Sequence, residues 1–248
     1  MKKFSIFALS ILIAAALLTA CHGQSTNEDP AFKASPDFAI EKAEVKYDEA
    51  LELLVFSITV KGQAGSSTPQ PAGQLDGAPV IGYVFPTTLK PQDVGFSATE
   101  GILALAITSH PDFDDTPLWD ENYDRDYQND GVIWHPHWVV LGEDKRVPGG
   151  LAVKQFKKGD DSVTLPPTNP AMPMYMDSPG FAIVAKGNTI SALVPTYRIS
   201  GQSTFQYDGV AAYMQVNTSN EELPMLGVYN VYSVASGDLS LPYQVKQR

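Results

Sequence analysis

The stretch VIWHPHWVVL, residues 132–141, decides how this chain is read. It is apolar apart from its two histidines and rich in Val, Ile and Trp, the composition of a strand covered on both faces. Side chains alternate sides along a strand, so Val132, Trp134, Trp138 and Val140 share one face and His135 and His137 the other. If the tryptophans fill a core, both imidazoles line the opposite side. Pro136 lacks a ladder donor and predicts an edge strand.

Working outward, the same short apolar pattern recurs. Residues 101–108 form a nearly continuous run, and residues 181–186 and 189–194 flank Gly187-Asn188, a two-residue hairpin signal. Residues 205–216 and 226–234 continue the pattern with Tyr207, Tyr213, Tyr229 and Tyr232 among them. Residues 41–54 fit a strand or a helix. A hairpin turning near Asp48-Glu49 is preferred, because residues 53–60 read clearly as a strand. Residues 63–77, rich in Gly, Ser, Pro and Gln, predict an exposed loop. Nineteen prolines leave little room for long helices. The expected fold is mostly β: a single β-sandwich-like domain of antiparallel sheets with long loops, over residues 37–248.

The first residues have a different character. Lys2 and Lys3 precede an uncharged run from Phe4 to Leu18, which ends in Leu18-Thr19-Ala20-Cys21. A basic start, an apolar run of about 15 residues and small residues before a cut site mark an export signal, too short for the ~20 residues of a spanning helix. Leu-Thr-Ala-Cys resembles the lipobox of bacterial lipoproteins, over residues 1–21 only. The resemblance implies removal of residues 1–20, a diacylglycerol thioether on Cys21 and acylation (palmitate or a similar chain) of its amine. Several acyl chains anchor durably to a membrane. His22 stands where an aspartate would favour inner-membrane retention, so the resemblance implies a cell-envelope protein, on the outer membrane facing the periplasm or the surface in a Gram-negative host. Residues 21–36, polar and punctuated by Pro30 and Pro36, read as a lipidated tether.

Composition narrows the function classes. Cys21 is the sole cysteine, which rules out an internal disulfide and a catalytic thiol. Loss of Lys2 and Lys3 takes the formal charge from −11 to −13. Such a surface repels nucleic acid. Gly-x-Ser-x-Gly, a phosphate-binding glycine loop, His-Glu-x-x-His and Cys-x-x-Cys are absent.

One region gathers rare residue types. His110, His135 and His137 fall within 28 residues, together with Trp119, Trp134 and Trp138. His110 ends the preceding apolar run, and an antiparallel return of the chain would bring it beside the other two. Three imidazoles on neighbouring strands suit zinc, copper or nickel. Between them lies an acidic stretch containing Asp112, Asp114, Asp115, Asp120, Glu121, Asp124, Asp126 and Asp130. Asp112, Asp114, Asp124, Asp126 and Asp130 are candidates for hydrogen bonding to the ligand imidazoles or for a nonstandard calcium loop. The stretch lacks the bidentate glutamate of an EF-hand, and a solvated loop is the competing reading. Met172, Met174 and Met176 alternate in a proline-rich segment and are candidate soft ligands for copper, against a plain packing role. No catalytic residue is assigned.

Three functions compete at this stage. The first is a lipid-anchored, metal-binding protein; water at an open metal position would also permit hydrolysis. The second is a cell-surface carbohydrate- or protein-binding sandwich that uses exposed tryptophans. The third is an envelope protein acting through protein contacts alone. Tryptophans buried with histidines on the opposite face favour the first.

Overall fold

The structure, a computed structural model, describes residues 35–247; the export signal, Cys21 and the tether as far as residue 34 lie outside them. The mostly β expectation holds. In chain order the strands are β1 (Ile40–Asp48), β2 (Leu53–Val60), β3 (Pro79–Pro86), β4 (Ile102–Ser109), β5 (His135–Glu143), β6 (Leu151–Val153), β7 (Met176–Asp177), β8 (Ile183–Lys186), β9 (Thr189–Pro195), β10 (Gln206–Tyr207), β11 (Val210–Val216), β12 (Leu226–Val234), β13 (Tyr243–Gln244) and β14 (Lys246–Gln247). The hairpins at residues 48–53 and 186–189 fall where the turn signals put them.

There are two main layers, but one of them departs from a plain sandwich. A five-stranded sheet runs β14-β1-β2-β9-β8. The second sheet runs β4-β3-β11-β12-β6-β5-β7, and β4 also pairs with β5. That extra pairing closes six strands into a barrel, with β7 pairing β5 on the side that β6 uses, just ahead of the β6 pairing. Closure removes the open edges that a flat sheet would expose.

The barrel strands are buried on both sides, which explains their continuous apolar runs. Outward-facing Ile81, Tyr83, Phe85, Leu103, Leu105, Ile107, Trp138 and Val140 pack against Val45, Leu54, Phe56, Ile58 and Ile190 of the five-stranded sheet. The inward face has smaller side chains: Val80, Val84, Ala104, Ala106, Val139, Val210 and Ala212. A six-stranded barrel has a narrow lumen, so bulk goes outside and small residues inside.

Both tryptophans of the decisive stretch are buried in the interlayer core. Trp138 meets the Phe56 ring edge-on at 6.3 Å, and Trp134 lies 5.0 Å from the Tyr83 ring. Val132 does not join them. It sits in a short 3-10 turn, Asp130–Val132, and is 42% exposed. The chain there crosses the end of β4, so close that a Cβ on Gly131 would lie 2.1 Å from the Phe113 carbonyl oxygen and 2.4 Å from that of His110. The ladder therefore starts only at His135. Pro136 does not mark an exposed edge either: His135 and His137 are buried. The registered partners of β7 and β6 begin at Trp138 and Leu141, so Pro136 lies outside those two pairings.

Replacing Trp138 by Ala removes the largest fully buried side chain shared by the two layers. The expected loss is about 3–5 kcal/mol in urea unfolding. A loss under about 1 kcal/mol would mean that the layers do not pack through this ring.

Candidate metal centre

The register of β4 with β5 builds the centre. Ala106 stands opposite His137 and Thr108 opposite His135, so these side chains share the lumen face, and His110 follows Thr108 at the same alternation. The pairing extends past the strand end: the His110 N–H donates to the Gly131 carbonyl at 2.7 Å and Ser109 Oγ to that of Val132 at 3.0 Å. All three histidines come together as their sequence positions suggested, and Asp115 from the intervening loop joins them. Each of the four offers one ligand atom, and these atoms lie within 4.8 Å of one another. The group is buried, with Asp115 the most accessible at 9%.

The outer nitrogens fix the tautomers. His110 Nδ1 donates to the Phe113 carbonyl at 2.8 Å, with the two rings stacked at 4.2 Å. His135 Nδ1 donates to the Ile133 carbonyl at 2.5 Å. His137 Nδ1 lies 3.1 Å from Ser178 Oγ, whose own proton goes to the Asp115 carbonyl at 2.7 Å. Ser178 must then accept from His137. A carbonyl cannot donate, so every Nδ1 carries its hydrogen and every Nε2 is turned inward, where those of His110 and His135 hydrogen-bond to each other through one shared proton. This is the arrangement that orients and tightens metal-ligating imidazoles.

The inner atoms match a coordination shell. Asp115 Oδ1 is 3.2 Å from His110 Nε2, 3.5 Å from His135 Nε2 and 3.4 Å from His137 Nε2. Tetrahedral bonds of about 2.0–2.1 Å place donors roughly 3.3 Å apart. The His110 and His135 Nε2 atoms, at 2.7 Å, are closer than that and would separate by about 0.6 Å around an ion. Asp115 Oδ1 and His137 Nε2 lie within ion-pair range, yet neither has a hydrogen-bond partner. Four acceptors facing one point in an apolar barrel require a cation, either a metal or a proton.

The charges agree. Burial opposes the charged form of His110, but the adjacent Asp115 carboxylate outweighs it and raises its pKa. Burial, helped by the neighbouring His135 and His110, pushes His137 down to about 3 against the pull of Asp115. Burial also opposes ionisation of Asp115, but the facing His137 and His110 imidazoles, with hydrogen bonding from His110 and His135, hold it well below the usual carboxylate range.

The other acidic candidates lie outside this cluster. Asp112 accepts from the Ala72 and Gly73 N–H groups at 2.9 and 2.6 Å and pins the 63–77 loop. Asp124 accepts from Asn129 Nδ2 at 2.7 Å and Asp126 from the Gln128 N–H at 3.1 Å, both turns on the exposed loop. Asp114 accepts from the Thr116 N–H at 2.9 Å, a local turn that spans Asp115. Asp130 is fully buried and accepts from the Asn122 N–H at 3.1 Å. Asp115 was missed because eight acidic residues share this stretch and no local spacing separates it from them. The nearest signal is Asp114-Asp115-Thr116 itself, where an Asx turn fixes the backbone at Asp115. The acidic loop is also held by Trp119, whose ring lies over Gly180 where a Cβ would come within 1.9 Å of it.

The methionine segment does fold against the histidine strand: Met176 stands opposite Val139 and Asp177 opposite Trp138. Met172, Met174 and Met176 line a lumen cavity of about 60 Å³ together with His110, His137 and Asp115. Comparison of the chain with family models, with curated proteins and with solved structures returned no match.

Beside the centre, Glu121 has its pKa raised to about 7 by burial and by the charges of Asp130 and Asp114. A carboxyl raised in the fold favours folding while protonated, so its contribution is present below pH 4.5 and is lost as pH rises through 7. Glu121→Gln should therefore raise the stability of the metal-free protein at pH 8, by about 1 kcal/mol once solvent screening is allowed for, and leave it unchanged near pH 4. Thermal unfolding at the two pH values checks this; equal effects at both would contradict it.

Proposed function

We propose that this protein is a lipid-anchored envelope protein that holds one transition-metal ion, zinc or copper, in its barrel through His110, His135, His137 and Asp115. The carrying observation is the near-equal spacing of Asp115 Oδ1 from three Nε2 atoms, 3.2–3.5 Å, with every opposite Nδ1 spent on an acceptor. Four chain donors complete a tetrahedron, as in sites that hold a metal; hydrolytic sites keep a position for water. Carriage, sensing or storage fits this better than hydrolysis. Lipidation at Cys21 and the envelope location rest on the lipobox alone.

The carbohydrate-binding alternative required exposed tryptophans on the histidine strand. Trp134 and Trp138 are 8% and 1% exposed, which withdraws that support. Trp119, at 37%, is the one indole open to solvent, and its ring lies over Gly180.

The full chain, purified in mild detergent without chelator, is expected to carry close to one zinc or copper ion by elemental analysis. The His135→Ala/His137→Ala double variant should carry none. Ser178→Ala, which frees the His137 tautomer, should weaken binding about 10–100-fold. Affinity should also fall as pH drops, beginning above the ordinary imidazole value of about 6.5, because the raised pKa of His110 lets a proton compete for its Nε2. Absence of metal from both proteins, with no uptake on titration, would refute the proposal.

A further inference from the structure

The chain has six methionines: Met1 and five others. All five others, Met172, Met174, Met176, Met214 and Met225, line the same lumen cavity as His110, His137 and Asp115. They come from three separate segments of the chain, so their meeting is a product of barrel closure and not of local repetition. Nothing else about the lumen calls for thioethers. Its remaining wall is largely Val, Ala and Leu, which fill a narrow barrel with better-defined rotamers.

Two of the five sit at the histidine end. Met176 stands opposite Val139, two residues from His137 on the same face, and two residues before Ser178, which holds His137 Nδ1. Met214 stands opposite Val80 on β3. Its Cε lies 3.0 Å from where a Cβ on Gly82 would be, and Thr108 Cγ2 lies 3.4 Å from that same point. Gly82 stands opposite Thr108 and Thr108 opposite His135, so the glycine opens space for the Met214 tip in the row that ends at the centre.

The charge balance points the same way. Asp115 is the one carboxylate within ion-pair reach of the three histidines among the described residues. A monovalent cation beside one carboxylate leaves the centre neutral, whereas a divalent ion leaves a net positive charge in an apolar lumen, which is costly. Thioethers are neutral, soft donors that select Cu(I).

We propose that the ion this centre takes is copper(I), with a thioether sulfur of Met176 or Met214 replacing the Asp115 oxygen beside the three imidazoles, so that the shell keeps four donors and the carboxylate balances the charge from outside it. This rests on the metal-binding reading above and narrows it to one ion and oxidation state. The test is anaerobic titration of the full chain in detergent with Cu(I), competed against bathocuproine disulfonate, alongside zinc competed against a chromogenic chelator. The variant is Met176→Leu/Met214→Leu, which keeps apolar volume; its unfolding midpoint and circular dichroism report that it folds. The expected result is a Cu(I) affinity lowered at least about tenfold in the variant, with zinc affinity within about threefold of wild type. X-ray absorption should show copper–sulfur scattering in the wild type that the variant loses. Cu(I) affinity unchanged in the folded variant, or a wild type that takes zinc but not Cu(I), would overturn the copper proposal and leave the metal centre standing. A wild type that takes neither ion would overturn both.

Discussion

The antiparallel ladder between β4 and β5 sets Thr108 opposite His135 and Ala106 opposite His137, and the centre depends on that register. Side chains alternate with a period of two, so a slip of one residue would send both imidazoles into the interlayer core and Trp138 into the lumen. Neither exchange is tolerable. The interlayer space is filled by rings such as Phe56 and Phe85, while the lumen is lined mostly by alanine, valine and methionine. The hydrophobic contrast between the barrel's two faces therefore also orients the histidines.

Burying three imidazoles and a carboxylate in such a barrel opposes folding unless each polar atom is matched. The outer half of the cluster is matched by the chain itself, through the Phe113 and Ile133 carbonyls and Ser178. The inner half is matched only in part: His110 and His135 Nε2 hydrogen-bond to each other, while Asp115 Oδ1 and His137 Nε2 lack partners. A cation at their meeting point would supply what the chain does not, and its binding energy would then add to the stability of the fold. Asp115 is the adjustable part of this arrangement, since it comes from a loop whereas the histidines lie on or beside strands. Ser178 links the two, contacting His137 and the Asp115 backbone at once.

The barrel and the five-stranded sheet divide the work. The sheet and the outward rings provide most of the large buried apolar side chains, which leaves the lumen free to be narrow, small-walled and partly open. Gly82, Ala104, Ala106 and Ala212 make the room that Met214 and the imidazoles use. Glycine and alanine weaken a strand by propensity, and here closure of the barrel compensates by satisfying both neighbours of each central strand.

Strand positions, the hairpins near residues 48 and 187, the burial of Trp134 and Trp138, and the placing of His135 and His137 on one face all follow from the sequence by itself. Each rests on a local rule, either the two-residue alternation or turn chemistry. The antiparallel return that brings His110 alongside was also legible, because β4 and β5 are consecutive and sequential strands tend to pair. Tertiary structure alone decided the rest. Barrel closure joins strands more than a hundred residues apart, such as β3 with β11, and no local pattern encodes which distant edge a strand will meet. That closure turned the histidine face into a lumen where the sequence suggested only the far side of a sheet. It also brought Met214 and Met225 to the cavity that His110, His137 and Asp115 line. Among the eight acidic residues of the stretch, Asp115 is the one whose backbone carbonyl Ser178 holds, a contact 63 residues away. Residue type sets what a side chain can ligate, but only the paths of distant segments determine which one arrives.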